Sequence, residues 1–133
     1  MNTADFLARL QEHTQGVLFI SESEYPFEPQ NLGVLKGAAL PAAIAARSGA
    51  QAAQVKTIDA QQFLAKIERG ADPGDAPIAA NLQKIKALFA FLTTQLTSLQ
   101  VYRIEAGVQV PVYILGTLPD QTVAGVKTTS IES

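Results

Sequence analysis

The spacing of apolar residues in the first third of the chain predicts a helix followed by a strand. Apolar residues recur at three- and four-residue intervals over residues 6–10, behind Thr3, which predicts a first helix with Thr3 as its N-cap. The short apolar run at residues 17–20 predicts a buried strand. Two prolines within residues 25–37 restrict that segment to an edge strand or an irregular crossing.

The middle of the chain repeats this alternation. Residues 40–50 are rich in alanine and predict a short helix, and residues 54–58 predict a short strand. Asp59 then stands as the N-cap of a helix over residues 60–70. The following residues 71–77 hold two prolines, two aspartates and a glycine, a composition typical of a loop.

The strongest helical pattern in the chain follows this loop. Apolar residues alternate four- and three-residue steps at Ile78, Leu82, Ile85, Phe89, Leu92, Leu96 and Leu99. Strand-like runs then occur at residues 100–106, 108–115 and 123–131, and their short links predict an antiparallel meander. Pro111 has no N–H donor, so its strand is expected at a sheet edge or at a bulge.

These elements predict one α+β domain over residues 1–133. Helices are interspersed with the early strands, and the last three strands are consecutive. This order predicts a mixed sheet that is covered by helices, on both faces.

Composition and charge exclude several classes of function. A formal net charge of −2 argues against a direct grip on nucleic acid, which needs a concentrated excess of lysine and arginine. With no cysteine and a single histidine, neither disulfides nor the usual zinc sites can form. No apolar run approaches the roughly 20 residues that cross a bilayer, and the start of the chain lacks a signal-peptide pattern. We therefore expect no cofactor, no membrane contact and a cytoplasmic location.

Two carboxylates flank a serine directly after the first predicted strand. Glu22 and Glu24 would lie on one face of an extended chain about 7 Å apart, a separation that a catalytic acid–base pair could use. The same residues are also typical of a solvated acidic turn or of a recognition loop. His13, near the end of the first helix, is either a general base or a favourable charge at that helix end.

The last residues of the sequence form a second polar group. Glu132 and Ser133 follow three consecutive hydroxyl residues and Ile131. Such an end is usually frayed. A carboxylate beside a serine hydroxyl is nevertheless a set of hard oxygen donors, which suits a cation such as Mg²⁺.

Five segments of the chain, in order, resemble the nuclease A inhibitor family. They are "LFISESEYPFE", "TID", "QVYR", "VPVYILG" and "AGVKTTSIES". The resemblance implies a three-layer α-β-α sandwich similar to PR-1-like proteins. It also implies a non-enzymatic inhibitor, monomeric when free, that binds the active-site cleft of a sugar-non-specific ββα-metal endonuclease in place of nucleic acid.

The resemblance also assigns site residues. Glu22 matches the family's acidic contact with the nuclease cleft, and Ser133 matches the terminal residue that reaches the partner's Mg²⁺. Glu24 and Tyr25 beside the first, and Glu132 beside the second, are expected to contact the partner as well. Asp72 and Asp75 occupy the position of an acidic loop in the family, although the tryptophan of that loop is absent here.

Two other functions remain open at this stage. A non-catalytic module of the same fold could bind another protein or a small ligand, which the missing tryptophan favours. A hydrolase would need Glu22 and Glu24 together in one cleft.

Overall fold

The computed structural model describes residues 2–35 and 40–133. Within them lie four α-helices, α1 Thr3–Thr14, α2 Leu40–Arg47, α3 Ala60–Gly70 and α4 Ala76–Gln95, and a short 3₁₀ turn at Ala52–Gln54. The strands are β1 Leu18–Ile20, β2 Glu24–Pro26, β3 Glu28–Val34, β4 Val55–Asp59, β5 Thr97–Ile104, β6 Gln109–Thr117 and β7 Thr122–Ile131. Lys36 and Gly37, at the end of the predicted edge segment, lie outside the described residues.

Short polar side chains cap three of the described helices, α1, α3 and α4, and the sequence predicts a cap for the first two of these. The Asp59 carboxylate accepts the Gln62 N–H at the start of α3, which confirms it as an N-cap. The predicted cap of α1 is wrong by one residue: Asn2 accepts the Asp5 N–H. The Thr3 hydroxyl instead donates to the Asp120 carboxylate, which ties α1 to the turn before β7.

Strands β3, β7, β6, β5 and β4 form a five-stranded sheet in that order. Every strand pair in the described residues is antiparallel, so the expected mixed sheet is wrong in this respect. The consecutive strands β5, β6 and β7 form the predicted antiparallel meander. Strand β3 lies at one edge of the sheet, in agreement with the proline that it contains, Pro29.

Helices cover both faces of this sheet, which confirms an α+β sandwich of three layers. On one face, Val101, Val112 and Ile114 pack with buried residues of α1, α3 and α4. On the other face, Tyr102 and Tyr113 join a smaller cluster with Ile44 of α2. The two faces follow from the two-residue side-chain period of the strands, because neighbouring residues point to opposite sides.

Three predictions about single elements need correction, and the first concerns residues 17–20. The run at residues 17–20 does not enter the main sheet: β1 pairs only with β2, and Ile20 is 43% exposed. The chain reverses at residues 21–23, where the Ser21 N–H donates to the Ser23 carbonyl, so β1 pairs back on β2 in a separate hairpin. Phe19 of this hairpin and the preceding Val17 are buried.

Helix α4 ends at Gln95, before the predicted end of its apolar stripe. The chain turns at Ser98, which has a φ of 55°. Leu96 nevertheless remains buried in the cluster under α4, and Leu99 packs against the same cluster from β5. The apolar spacing thus continues past the helix because both residues reach one core from different elements.

Strand β6 lies in the interior of the sheet and pairs with β7 without a register shift from Gln109 to Thr117, so the expectation of an edge position or a bulge at Pro111 is wrong. Pro111 pairs with Thr129 of β7, and the pairing of β6 with β5 begins only at the next residue, Val112. At Pro111, strand β6 is therefore paired with β7 alone, so the missing N–H of the proline interrupts no pairing with β5.

No helix in residues 2–35 and 40–133 combines the length and apolar character needed to cross a membrane.

Candidate functional site

A small hairpin, made of β1, residues 21–23 and β2, carries Glu22 at its exposed tip. Asn81 of α4 holds the outer edge of β1 from the side. Its amide oxygen accepts the Leu18 N–H at 3.0 Å, and its amide nitrogen donates to the Leu18 carbonyl at 2.8 Å. One asparagine side chain thereby takes the place of a neighbouring strand and fixes the hairpin to α4.

The end of β7 reaches the tip of this hairpin. The Ile131 N–H donates to the Ser21 hydroxyl at 2.9 Å, although 110 residues separate the two. The Ser21 hydroxyl also donates to the Ser23 carbonyl at 3.3 Å, which closes the turn. A single hydroxyl therefore connects the turn that presents Glu22 with the strand that leads to Ser133.

Glu22 and Ser133 are in direct contact. The two Glu22 carboxylate oxygens accept one hydrogen bond each, from the N–H and from the hydroxyl of Ser133. These two bonds, to the hydroxyl first and to the N–H second, hold the pKa of the Glu22 carboxyl below its ordinary value. At neutral pH the site thus contains an ionised, exposed carboxylate in fixed geometry beside the Ser133 oxygens.

Glu132 is held from the opposite side. Its carboxylate pairs with the Arg103 guanidinium and accepts the Ser130 hydroxyl at 2.7 Å. The hydrogen bond that Arg103 donates to Glu132 is the main reason that the pKa of Glu132 is lowered and that the pKa of Arg103 is raised. Arg103 also contacts Glu105 at 3.2 Å, so one cation fixes two carboxylates.

The other four predicted contact residues lie in β2 and in the loop before α4. Glu24 begins β2 and is exposed, while Tyr25 is half-buried and its carbonyl accepts the Thr128 hydroxyl at 3.5 Å. Asp72 and Asp75 are engaged within their own loop, where they accept the Gly74 and Ile78 N–H groups. Asp75 is thus also the N-cap of α4. No contact joins these two aspartates to Glu22 or Ser133.

His13, in α1, packs against a side chain of α4. Its ring stacks on Phe91 with 4.5 Å between the ring centroids. Among the described residues, no three His, Asp or Glu side chains cluster as they would to hold a metal ion.

The family model described as nuclease A inhibitor-like protein matches residues 4–133, nearly the entire chain. The chain belongs to the nuclease A inhibitor-like family. No match was found among the curated proteins. Family membership implies a nuclease inhibitor rather than an enzyme, and therefore a nuclease as the partner.

Three residues that organise this family member's site escaped the sequence analysis: Ser21, Asn81 and Arg103. Asn81 had a weak signal, since it interrupts the apolar face of a helix with a side chain able both to donate and to accept. Arg103 stands between Tyr102 and Ile104 in an otherwise apolar run of a strand, where a charge calls for a partner. Nothing in the sequence marks Ser21, because its role depends on how β7 meets the hairpin.

Proposed function

We propose that this chain inhibits a sugar-non-specific, Mg²⁺-dependent ββα-metal endonuclease by occupying its active-site cleft. The observation that carries the proposal is the contact between Glu22 and Ser133, which joins two segments 111 residues apart into one exposed group of oxygens. Such a cleft is electropositive and binds phosphate oxygens, so carboxylate and hydroxyl oxygens can substitute for them.

The geometry suits an inhibitor because the oxygens are ordered before binding. Glu22 is bonded twice to Ser133, and the strand leading to Ser133 is bonded to Ser21. An interface with fewer side chains to immobilise loses less entropy on association, by roughly 0.5–1.5 kcal/mol for each long side chain. In the proposed complex, the Ser133 oxygens face the Mg²⁺ of the nuclease, and Glu24, Tyr25 and Glu132 surround them.

Catalysis by the glutamates has no support in this geometry. A general acid that works near neutral pH needs a raised pKa, whereas the pKa of Glu22 is lowered by its bonds to Ser133. Glu22 also lies on an exposed tip and not inside a cleft. The hydrolase hypothesis from the sequence is therefore the weaker one.

The test is an inhibition assay with a ββα-metal endonuclease, in which cleavage of DNA and of RNA is followed at increasing inhibitor concentration. The unaltered chain should abolish cleavage of both substrates near equal molar ratio. Glu22→Ala combined with removal of Ser133 should raise the inhibitory concentration at least ~30-fold, as expected for residues worth about 2 kcal/mol or more at an interface centre.

The matched control is Glu12→Ala, which removes an exposed glutamate of α1 and should leave the inhibitory concentration unchanged. Circular dichroism of each variant separates loss of binding from loss of fold. Full inhibition by the doubly altered chain would show that the nuclease contacts another surface. A nuclease of a different fold that is inhibited equally well would refute the assignment of the partner class.

We propose that the inhibitor acts in the cytoplasm, as a monomer that forms a one-to-one complex. In this compartment it would protect the nucleic acids of the cell that makes the nuclease. Cell fractionation and light scattering of the free chain and of the complex test the two statements. Recovery only outside the cell, or a free dimer, would contradict them.

A further inference from the structure

A cavity of about 340 Å³ lies between α3, α4 and the β1–β2 hairpin. Its walls are apolar and come from all three elements: Phe19, Phe63, Ile67, Ile78, Leu82 and Ile85. Phe19, Phe63 and Ile85 are buried parts of the main core, so the wall is an extension of a packed interior. A volume of this size falls in the range of about 300–1,000 Å³ that is typical of small-molecule sites.

Polar side chains line the same cavity. Arg103, Lys66, Glu132 and Ser130 are among its lining residues, together with Asn81. Arg103 is only 14% exposed in its side chain, and Ser130 is buried. An apolar cavity with a few polar groups is the arrangement by which proteins bind and orient small ligands.

Cationic N–H donors at this cavity can receive an anion. Lys66 and Arg103 contribute two positive charges, and Glu132 and Glu105, which both pair with Arg103, contribute two negative charges, so an anion would be held by Lys66 and by the remaining N–H donors of Arg103. Glu132 already uses its oxygens for Arg103 and Ser130. In the described part of the chain, no carboxylate lies within ion-pair distance of the Lys66 ammonium, and the Arg103 guanidinium uses only two of its five N–H donors, for Glu105 and Glu132.

We propose that this cavity binds a small amphiphilic carboxylate, with its apolar body between α3 and α4 and its carboxylate at Lys66 and Arg103. By the share of about 30 Å³ that each water occupies in the liquid, the cavity has room for about eleven non-hydrogen atoms. Octanoate, a linear carboxylate of that size, is therefore a suitable probe. The proposal goes beyond nuclease inhibition and does not depend on it.

The experiment is a titration of the full chain with octanoate at pH 7, followed by calorimetry and by amide NMR shifts. We expect saturable binding whose shifts fall on α3, α4 and the residues around Arg103. The neutral alcohol 1-octanol should bind at least about fivefold more weakly, because it cannot use the positive charges.

Lys66→Gln should lower octanoate affinity about two- to fivefold, because Lys66 is exposed and an exposed ion pair contributes up to about 1 kcal/mol. The matched control is Lys84→Gln, an exposed lysine of α4 outside the cavity, which should change affinity less than about twofold. Ile67→Trp, which fills the cavity with a larger side chain, should abolish binding in a chain whose circular dichroism is unchanged.

Three results would overturn the proposal. They are the absence of saturation up to about 10 mM octanoate, equal affinity for octanol, or the same affinity in the Lys66→Gln and Lys84→Gln chains. If octanoate does not bind while Ile67→Trp weakens nuclease inhibition, the cavity receives a side chain of the nuclease instead of a small ligand. Since octanoate binding is measured without any nuclease, its failure is distinct from failure of the inhibitor function.

Discussion

The two hydrogen bonds between Asn81 and Leu18 allow the most direct test of how the hairpin is held. Strand β1 has only three residues and pairs only with β2 on its other side. Asn81→Leu keeps a side chain of similar shape but removes both the donor and the acceptor. The Leu18 N–H and carbonyl would then lose their only partners on this side, in a region that is partly buried.

The size of the effect follows from this pair of bonds. A typical intramolecular hydrogen bond contributes about 0.5–1.5 kcal/mol, and a buried group left without a partner costs about 1–3 kcal/mol. Water can reach part of this site, so we expect the free energy of unfolding to fall by about 2 kcal/mol in total. For a domain of this length, such a loss lowers Tm by about 8 °C.

Urea denaturation followed by circular dichroism measures the loss. The denaturation midpoint should fall by about 1 M, with the slope unchanged. Gln83→Leu, an exposed position two residues further along α4, is the matched control and should change the free energy of unfolding by less than about 0.5 kcal/mol. Hydrogen exchange of the Leu18 amide should also accelerate in the Asn81→Leu chain.

The inhibition assay adds a second measurement to the same variant. A loosened hairpin no longer holds Glu22 against Ser133, so the Asn81→Leu chain should inhibit more weakly even at temperatures where it remains folded. If Asn81→Leu and Gln83→Leu had equal effects on stability and on Leu18 exchange, Asn81 would not hold the hairpin.

Further predictions concern the sheet, acid and the end of the chain. Gly125→Ala would place a Cβ 1.9 Å from a backbone carbonyl oxygen of β6, at a φ of 157°, and should cost more than about 3 kcal/mol in urea denaturation. The control Gly107→Ala meets open space and should change stability little. Because folding lowers the pKa of Glu22 and Glu132, their stabilisation is complete above the ordinary glutamate pKa of 4.5 and is lost as pH falls through the lower folded values. Stability measured by urea should therefore decrease below about pH 4.5, and by less in the Glu132→Gln chain; an identical decrease would contradict this. A tag appended after Ser133 should weaken nuclease inhibition at least tenfold, which corresponds to a loss of ~1.4 kcal/mol in binding free energy. The same tag before residue 1 should leave inhibition unchanged. Equal inhibition by the two tagged chains would show that Ser133 lies outside the interface.

The sequence predicted those parts of the fold that depend on local spacing. The period of the apolar residues predicted α3 and α4, because each helix buries one regular face. It predicted the three strands of the meander because their side chains are buried on one face or on both faces of the sheet. It failed for β1 and for Pro111, since the position of a strand within a sheet depends on partners elsewhere in the chain. Four apolar residues in a row read the same whether they enter a sheet or form a separate hairpin.

The candidate site was predictable only through the family resemblance. The spacing of residues alone is compatible with Glu22 as a catalytic acid, as part of a solvated turn or as part of a recognition loop. It gives no reason to place Ser133 beside Glu22. The hydroxyl of Ser21 that joins the two segments acts through a bond across 110 residues, which no local pattern encodes. The contact between Glu22 and Ser133 is present in the structure, but the roles of all seven predicted residues in binding a partner stay predictions: Glu22, Glu24, Tyr25, Asp72, Asp75, Glu132 and Ser133.

The contact across 111 residues also sets when the site can exist during synthesis. Closing so long a loop is entropically costly, so the contact forms after the intervening sheet has brought its ends together. During synthesis Glu22 leaves the ribosome long before Ser133, and it has no partner at this contact until Ser133 follows. The proposed contact group of Glu22 and Ser133 therefore forms only after the sheet, and a chain that lacks Ser133 would keep β7 but lose that group.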